Sequence, residues 1–197
     1  MSKAEKILES LFVSKVRIKV LKYLLLQPNS RLHLRGISRE INEEINAVRR
    51  ELVRLEEIGM VKSEESSAKK YFMANKDSVF YFDLLSIFHK SFGLGGNIIR
   101  SNIQIGGVKF ALLTEDYLKQ SHTSSQKLDL IVVGNINIPK LTELVEEAEK
   151  KLNAEIFYTV MSEREFFLKK KRRDPFVISI IMQRNVLLIG SYEELIS

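Results

Sequence analysis

At 197 residues the chain has room for one large domain or two small ones of roughly 100–150 residues each. Its 45% hydrophobic and 28% charged content is globular. It excludes disorder and collagen-like repeats, and the absence of cysteine excludes a disulfide scaffold, a thiolate nucleophile and a cysteine zinc site. The net charge of +6 is uneven: residues 1–75 hold 15 Lys/Arg against 10 Asp/Glu, residues 76–197 hold 16 against 15. Such asymmetry points to an anionic partner for the first third, nucleic acid above all. Met1-Ser2-Lys3-Ala4-Glu5-Lys6 lacks the apolar run of a signal peptide, and no stretch approaches about 18 uncharged apolar residues. The expectation is a soluble cytoplasmic protein without membrane contact.

Ile7, Leu11, Val16, Val20, Tyr23 and Leu24 recur at helical spacing, and Gln27-Pro28-Asn29-Ser30 ends that helix. Arg31-Leu32-His33 suits a very short strand, Leu34 to Ile41 a short helix, and Asn42-Glu43-Glu44 a turn. A longer helix is predicted from Ile45 to about Ile58, closed by Gly59. Met60 to Ser63 and Tyr71 to Met73 read as strands, with polar Glu64 to Lys70 as the hairpin tip. Short helix, turn, longer helix and hairpin make a winged helix-turn-helix.

At 100° per residue, Ile45, Val48, Leu52 and Leu55 fall within about 80° and form the buried stripe of the longer helix. Asn46, Ala47, Arg50 and Arg54 take the opposite face, with Arg49 on one flank. A major-groove helix needs such residues. Long cations reach phosphates and guanine edges, Asn pairs with adenine, and Ala leaves room for a thymine methyl. Asn46, Ala47 and Arg50 are expected at bases, and Arg49, Arg54, Lys69 and Lys70 at phosphates. A merely solvated basic face is the competing explanation, and Glu64 and Glu65 beside Lys69 and Lys70 weaken the wing as a backbone contact.

Residues 76–105 read as a helical connector. Phe80, Leu84, Leu85, Ile87, Phe88 and Phe92 make it apolar enough to be buried between domains or to form a dimer face matching a palindromic site. Gly93-Leu94-Gly95-Gly96 follows a helix, lacks a Lys-Ser/Thr pair, and is read as a helix terminator, not a phosphate loop.

From Gly106 strands alternate with helices. Val108 to Leu113, Leu128 to Val133, Ala154 to Met161 and Val186 to Ile189 are predicted strands. Pro139 to Leu152 is a helix, Ser162-Glu163-Arg164-Glu165 is a capping box opening another, and Asp174-Pro175 restarts a third. The fold class is thus two-domain, α+β followed by α/β: a winged helix-turn-helix at 1–75, the connector at 76–105, and a small mixed-sheet domain at 106–197.

Val108-Lys109-Phe110-Ala111-Leu112-Leu113 through Val133-Gly134 resembles the core of the minimal nucleotidyltransferase domains of the polymerase-beta superfamily. In prokaryotes these are found fused behind a winged helix of the ArsR-like regulator type. Asn46-Ala47-Val48-Arg49-Arg50-Glu51-Leu52 and Leu55-Glu56-Glu57-Ile58-Gly59 are similar to that family's recognition helix. Glu165-Phe166, Asp174-Pro175-Phe176 and Leu188-Ile189-Gly190 resemble segments of the same fusions. The family's active pattern is Gly-Ser to cradle triphosphate, a later Gly, and Asp-x-Asp to hold divalent metal. Here Glu115-Asp116 stands for Gly-Ser, Gln120 for the later Gly and Lys127 for the first Asp, leaving Asp129 alone. Two acids repel a triphosphate and Lys127 competes with a cation.

The resemblance therefore implies a DNA-binding transcriptional regulator, homodimeric, whose second domain has lost catalysis and serves as scaffold, dimerisation unit or sensor. No catalytic residue, cofactor, metal or nucleotide is expected. The alternatives are a metal-dependent nucleotidyltransferase using Asp129, with Glu155 as a further acid, and an antitoxin-like module holding a protein partner through Phe80 to Phe92. Lys169-Lys170-Lys171-Arg172-Arg173 is either a solvated helix end or a second contact to DNA backbone. His33, His89 and His122 show no metal or triad spacing, and Ser121 to Ser125 reads as a flexible loop.

Overall fold

The computed structural model describes residues 3–66, 68–120 and 127–197. His122 and the Ser121 to Ser125 segment lie outside the described residues. The fold is mixed α/β, in two compact units of residues 1–91 and 92–197. The break falls inside the segment expected as a connector.

In the first unit the predicted opening helix is two: α1 (Lys3–Phe12) and α2 (Lys15–Leu26). Val13 at φ 60° breaks the run, and Ser14 starts α2 by accepting the Arg17 N–H at 3.2 Å. Strand β1 (Leu32–His33) leads into α3 (Leu34–Glu40), where His33 Nδ1 accepts the Gly36 N–H. After the turn, α4 (Ile45–Glu57) ends at Gly59, whose φ of 72° suits a residue without a Cβ. β2 (Val61–Ser66) and β3 (Lys69–Ala74) run further into the tip than expected, with Glu65 opposite Lys70 in register. β1 adds to β3 with Leu32 opposite Phe72, so the sheet order is β1-β3-β2, all antiparallel.

Helix α5 (Tyr81–Ser91) closes the unit against α2, burying Tyr81, Leu85, Phe88 and His89. The Phe88 ring meets Phe12 edge-on at 6.0 Å. Val20, Leu21, Leu24, Ile37, Val48, Leu52 and Leu55 complete this core. The element order is that of a winged helix.

The second unit begins with α6 (Gly93–Arg100) and α7 (Asn102–Ile105). The glycines expected to terminate a helix instead begin α6. Gly95 and Gly96 are buried within it, so tertiary packing offsets their weak helix propensity of about 1 kcal/mol each. Then follow β4 (Gly106–Leu113), α8 (Glu115–Lys119), β5 (Leu130–Ile136), α9 (Ile138–Leu152), β6 (Tyr158–Met161), α10 (Glu163–Lys171), α11 (Pro175–Met182), β7 (Val186–Ile189) and α12 (Tyr192–Ile196). The sheet order is β6-β5-β4-β7, parallel between β5 and β6 and antiparallel elsewhere. Phe110, Leu112, Ile131, Val133, Phe166 and Leu187 pack on one face. Ala111, Leu113, Leu130 and Val132 are equally buried, so β4 and β5 are covered on both faces.

Residues 154–157, expected in β6, lie outside it, because side chains take their backbone N–H groups: Glu149 accepts from Ile156 and Asp129 from Phe157. Neither α8 nor α12 was expected. Among the described residues no helix is long and apolar enough to cross a membrane.

Candidate nucleic-acid interface

Helix α4 buries Val48, Leu52 and Leu55 as the 100° arithmetic requires, together with Glu51. Asn46, Arg49 and Arg50 are exposed and Ala47 is half-buried. The helix is capped by Glu44, whose carboxylate accepts the Asn46 and Ala47 N–H groups, each at 2.9 Å. Those two bonds, aided by the Arg50 charge, hold the Glu44 carboxyl below its ordinary pKa. Among the described residues Arg49 has no ion-pair partner, and Arg50 interacts with an acid only through the field of Glu44.

Two expected phosphate contacts are otherwise engaged. Arg54 stands on the shoulder of α4, with Nη1 3.4 Å from Glu51 Oε1. The face arithmetic set it with Arg50, but the buried carboxylate of Glu51 draws it aside. It also lines an apolar cavity of about 470 Å³ within this unit, with Phe12, Leu21, Ile58, Phe80 and Ile87. Lys70 Nζ is 2.8 Å from Glu56 Oε2 and 5.4 Å from the Phe72 ring centroid. Lys69 is exposed, without an ion-pair partner among the described residues.

Glu51 organises the inner side. It accepts from Ser14 Oγ at 2.9 Å and Arg17 Nε at 2.8 Å, tying α4 to the start of α2. Burial pushes its carboxyl up, but the hydrogen bonds from Arg17 and Ser14 and the charges of Arg17 and Arg54 outweigh burial and hold it low.

Arg35 and Arg39 were not singled out in the sequence as part of this basic surface. Both are exposed on α3, four residues apart, away from the fully buried Ile37. The same face test applied to Leu34–Glu40 would have found them.

In the second unit, Glu115 pairs with Lys119 at 2.7 Å, and Asp116 accepts the Leu128 N–H at 3.3 Å. Gln120 adopts φ 47°, the left-handed backbone that suits a glycine. Lys127 Nζ lies 3.1 Å from Asp129 Oδ2, 3.1 Å from the Glu155 carbonyl oxygen and 5.5 Å from the Phe157 ring centroid. Asp129 is 1% exposed and accepts the Phe157 N–H at 2.9 Å. Burial raises its carboxyl above the ordinary range, against the opposing pull of that N–H and of Lys127. The adjoining cavity holds about 150 Å³ and includes Tyr117, Gln120 and Glu155.

No protein-family model matches the chain, and no curated protein matches it. It is similar to solved structures at low identity, among them the following. Reduced HlyU from Vibrio cholerae is 16% identical over 45% of this chain and 88% of that one, with a TM-score of 0.36. A point variant of S. aureus MepR is 16% identical over 52% and 72%, TM-score 0.41. The homodimeric winged helix-turn-helix DNA-binding domain of Mb0332 from Mycobacterium bovis, a possible ArsR-family transcriptional regulator, is 14% identical over 53% and 92%, TM-score 0.32.

Proposed function

We propose that the chain is a sequence-specific regulator of transcription that binds double-stranded DNA as a homodimer in the cytoplasm. One observation carries this: Asn46, Arg49 and Arg50 stand exposed on α4, and among the described residues neither arginine is bound in an ion pair, so their donors can reach base edges and phosphates. Arg50 and Asn46 read bases beside Ala47, Arg49 and Lys69 meet phosphate, and Arg35 and Arg39 on α3 add to the backbone contact. Phe80 at 57% and Ile87 at 40% exposure support a self-association face on this unit.

Recovery of sheared genomic DNA by wild-type protein and by Arg50→Ala, at about 0.15 M salt, tests the reading. Discrete sites enriched by wild type are lost with Arg50→Ala, at a cost of about 1–3 kcal/mol per specific site. Arg54→Ala weakens specific and random duplexes alike, and by less than Arg49→Ala, because its guanidinium is shared with Glu51. Specific and random duplexes bound equally by wild type, Arg49→Ala and Arg50→Ala would refute it.

The second unit, on this proposal, is a nucleotidyltransferase-like domain that transfers nothing and acts as scaffold. Its residues do not fit a divalent metal: the Lys127 ammonium already occupies the Asp129 carboxylate. A cavity of about 150 Å³ is also small beside the roughly 300–1,000 Å³ of ordinary ligand sites. Turnover of labelled nucleoside triphosphates with magnesium or manganese, abolished by Asp129→Ala, would overturn this.

A further inference from the structure

The cationic run Lys169 to Arg173 spans the last turn of α10 and the corner leading into α11. Cations in a last helical turn ordinarily complement its carbonyls, but here backbone groups supply the donors. Arg172 N–H donates to the Leu168 carbonyl at 3.1 Å, Arg173 N–H to Lys170 at 3.0 Å and Asp174 N–H to Lys169 at 2.9 Å. The neighbouring acids are spent elsewhere. Glu165 holds Lys169 at 3.1 Å, and Asp174 caps α11 by accepting the Phe176 and Val177 N–H groups. Among the described residues Lys170 reaches a neutral carbonyl, that of Glu194, and no carboxylate. Lys171, Arg172 and Arg173 are exposed and, among the described residues, have no ion-pair partner.

Arg173 also adopts φ 54°, where Gly or Asn would sit with less strain. That φ and the two backbone bonds before Asp174 are the left-handed ending with which many helices close, so the turn places Arg173 on the exposed corner beside Lys171 and Arg172.

We propose that Lys171, Arg172 and Arg173 form a second phosphate-contacting site, for the backbone of duplex DNA, on the unit that carries no recognition helix. This deepens the regulator reading and rests on it for the choice of duplex. Three adjacent cations on a convex corner suit a rigid phosphate rail and carry no base-reading geometry.

The test is the salt dependence of binding to a random-sequence duplex, measured with the full chain. Each phosphate contact contributes about 0.9 to the slope of log K against log salt. The Lys171→Gln/Arg172→Gln/Arg173→Gln variant is expected to lower that slope by about 2–3, and Lys171→Ala/Arg172→Ala, which keeps the Arg173 turn, by about 2. Lys150→Gln/Lys151→Gln, on α9, is the charge-matched control for the double variant and leaves the slope unchanged. Wild-type slope in both corner variants overturns the proposal while leaving the α4 reading intact. So does an equal loss in the control, or a loss confined to binding phosphatidylserine vesicles. A lowered slope in the corner variants with no effect of Arg49→Ala or Arg50→Ala supports this site and refutes the α4 reading.

Discussion

Replacing Glu51 by alanine tests the inner scaffold of the recognition helix. Removing one partner of a buried ion pair costs about 3–5 kcal/mol when the other charge stays buried. Here the Arg17 side chain is 31% exposed and that of Arg54 59%, so both guanidiniums can rehydrate and the cost falls to about 2 kcal/mol. Ser14 keeps its capping bond to the Arg17 N–H at 3.2 Å, so α2 itself survives. In a unit of 91 residues the loss lowers the melting temperature by about 8–16 °C. Glu51→Gln retains an acceptor for Ser14 and Arg17 and costs about 1 kcal/mol. The carboxyl is depressed in the fold, so its contribution is present above the unfolded pKa and is lost as pH falls through the folded one. The Glu51→Gln penalty therefore shrinks in acid. Urea titration of wild type, both variants and the Arg17→Ala cycle measures it. A Glu51→Ala loss below about 0.5 kcal/mol, or no coupling to Arg17, would refute the reasoning.

Three further outcomes follow from buried groups. Burial lowers the His89 pKa from 6.5 to about 4, so the unfolded chain takes up a proton that the fold refuses. Stability falls by about 3 kcal/mol between pH about 6.5 and about 4, and His89→Gln flattens that slope in urea titrations. Asp129→Asn stays within about 1 kcal/mol of wild type, because the raised carboxyl already favours a neutral group, whereas Asp129→Ala costs about 2 kcal/mol by stranding the Phe157 N–H and Lys127. Amide exchange at Phe157 reports the difference. Gly134→Ala, at φ 144° with its new Cβ driven against the Gly107 carbonyl oxygen, costs about 3 kcal/mol or more and shows as loss of the folded second unit by circular dichroism.

The first unit was the more legible in sequence. The period of Val48, Leu52 and Leu55 is local, and the buried stripe of α4 follows from it directly. Glu51 was not foreseen, because its partners Ser14 and Arg17 lie 37 and 34 residues away, and a face projection assigns polar residues to water. The ion pairs of Arg54 with Glu51 and of Lys70 with Glu56 were not foreseen for the same cause, since they form only in three dimensions. The break at Val13 left no Pro or Gly to mark it. In the second unit the strands were visible as apolar runs. Whether Gly95 and Gly96 end a helix or hide in one depends on packing that propensity does not encode. The pairing of Lys127 with Asp129 was readable from their i,i+2 spacing, but not the third partner, the Glu155 carbonyl.

The seat of β7 on β4 has a consequence for synthesis. β4 pairs at Ala111 to Leu113 with Val186 to Ile189, so one edge of the central strand waits for nearly the last part of the sheet to be made. The first unit is complete at residue 91 and can fold while the rest is still being translated. At about 5–20 residues per second, the β4 edge then stays unpaired for roughly 4–15 s. An open apolar edge is a template for other chains. The second unit is therefore the one whose yield is expected to respond to translation rate, and β7 is the strand whose late arrival ends the exposure.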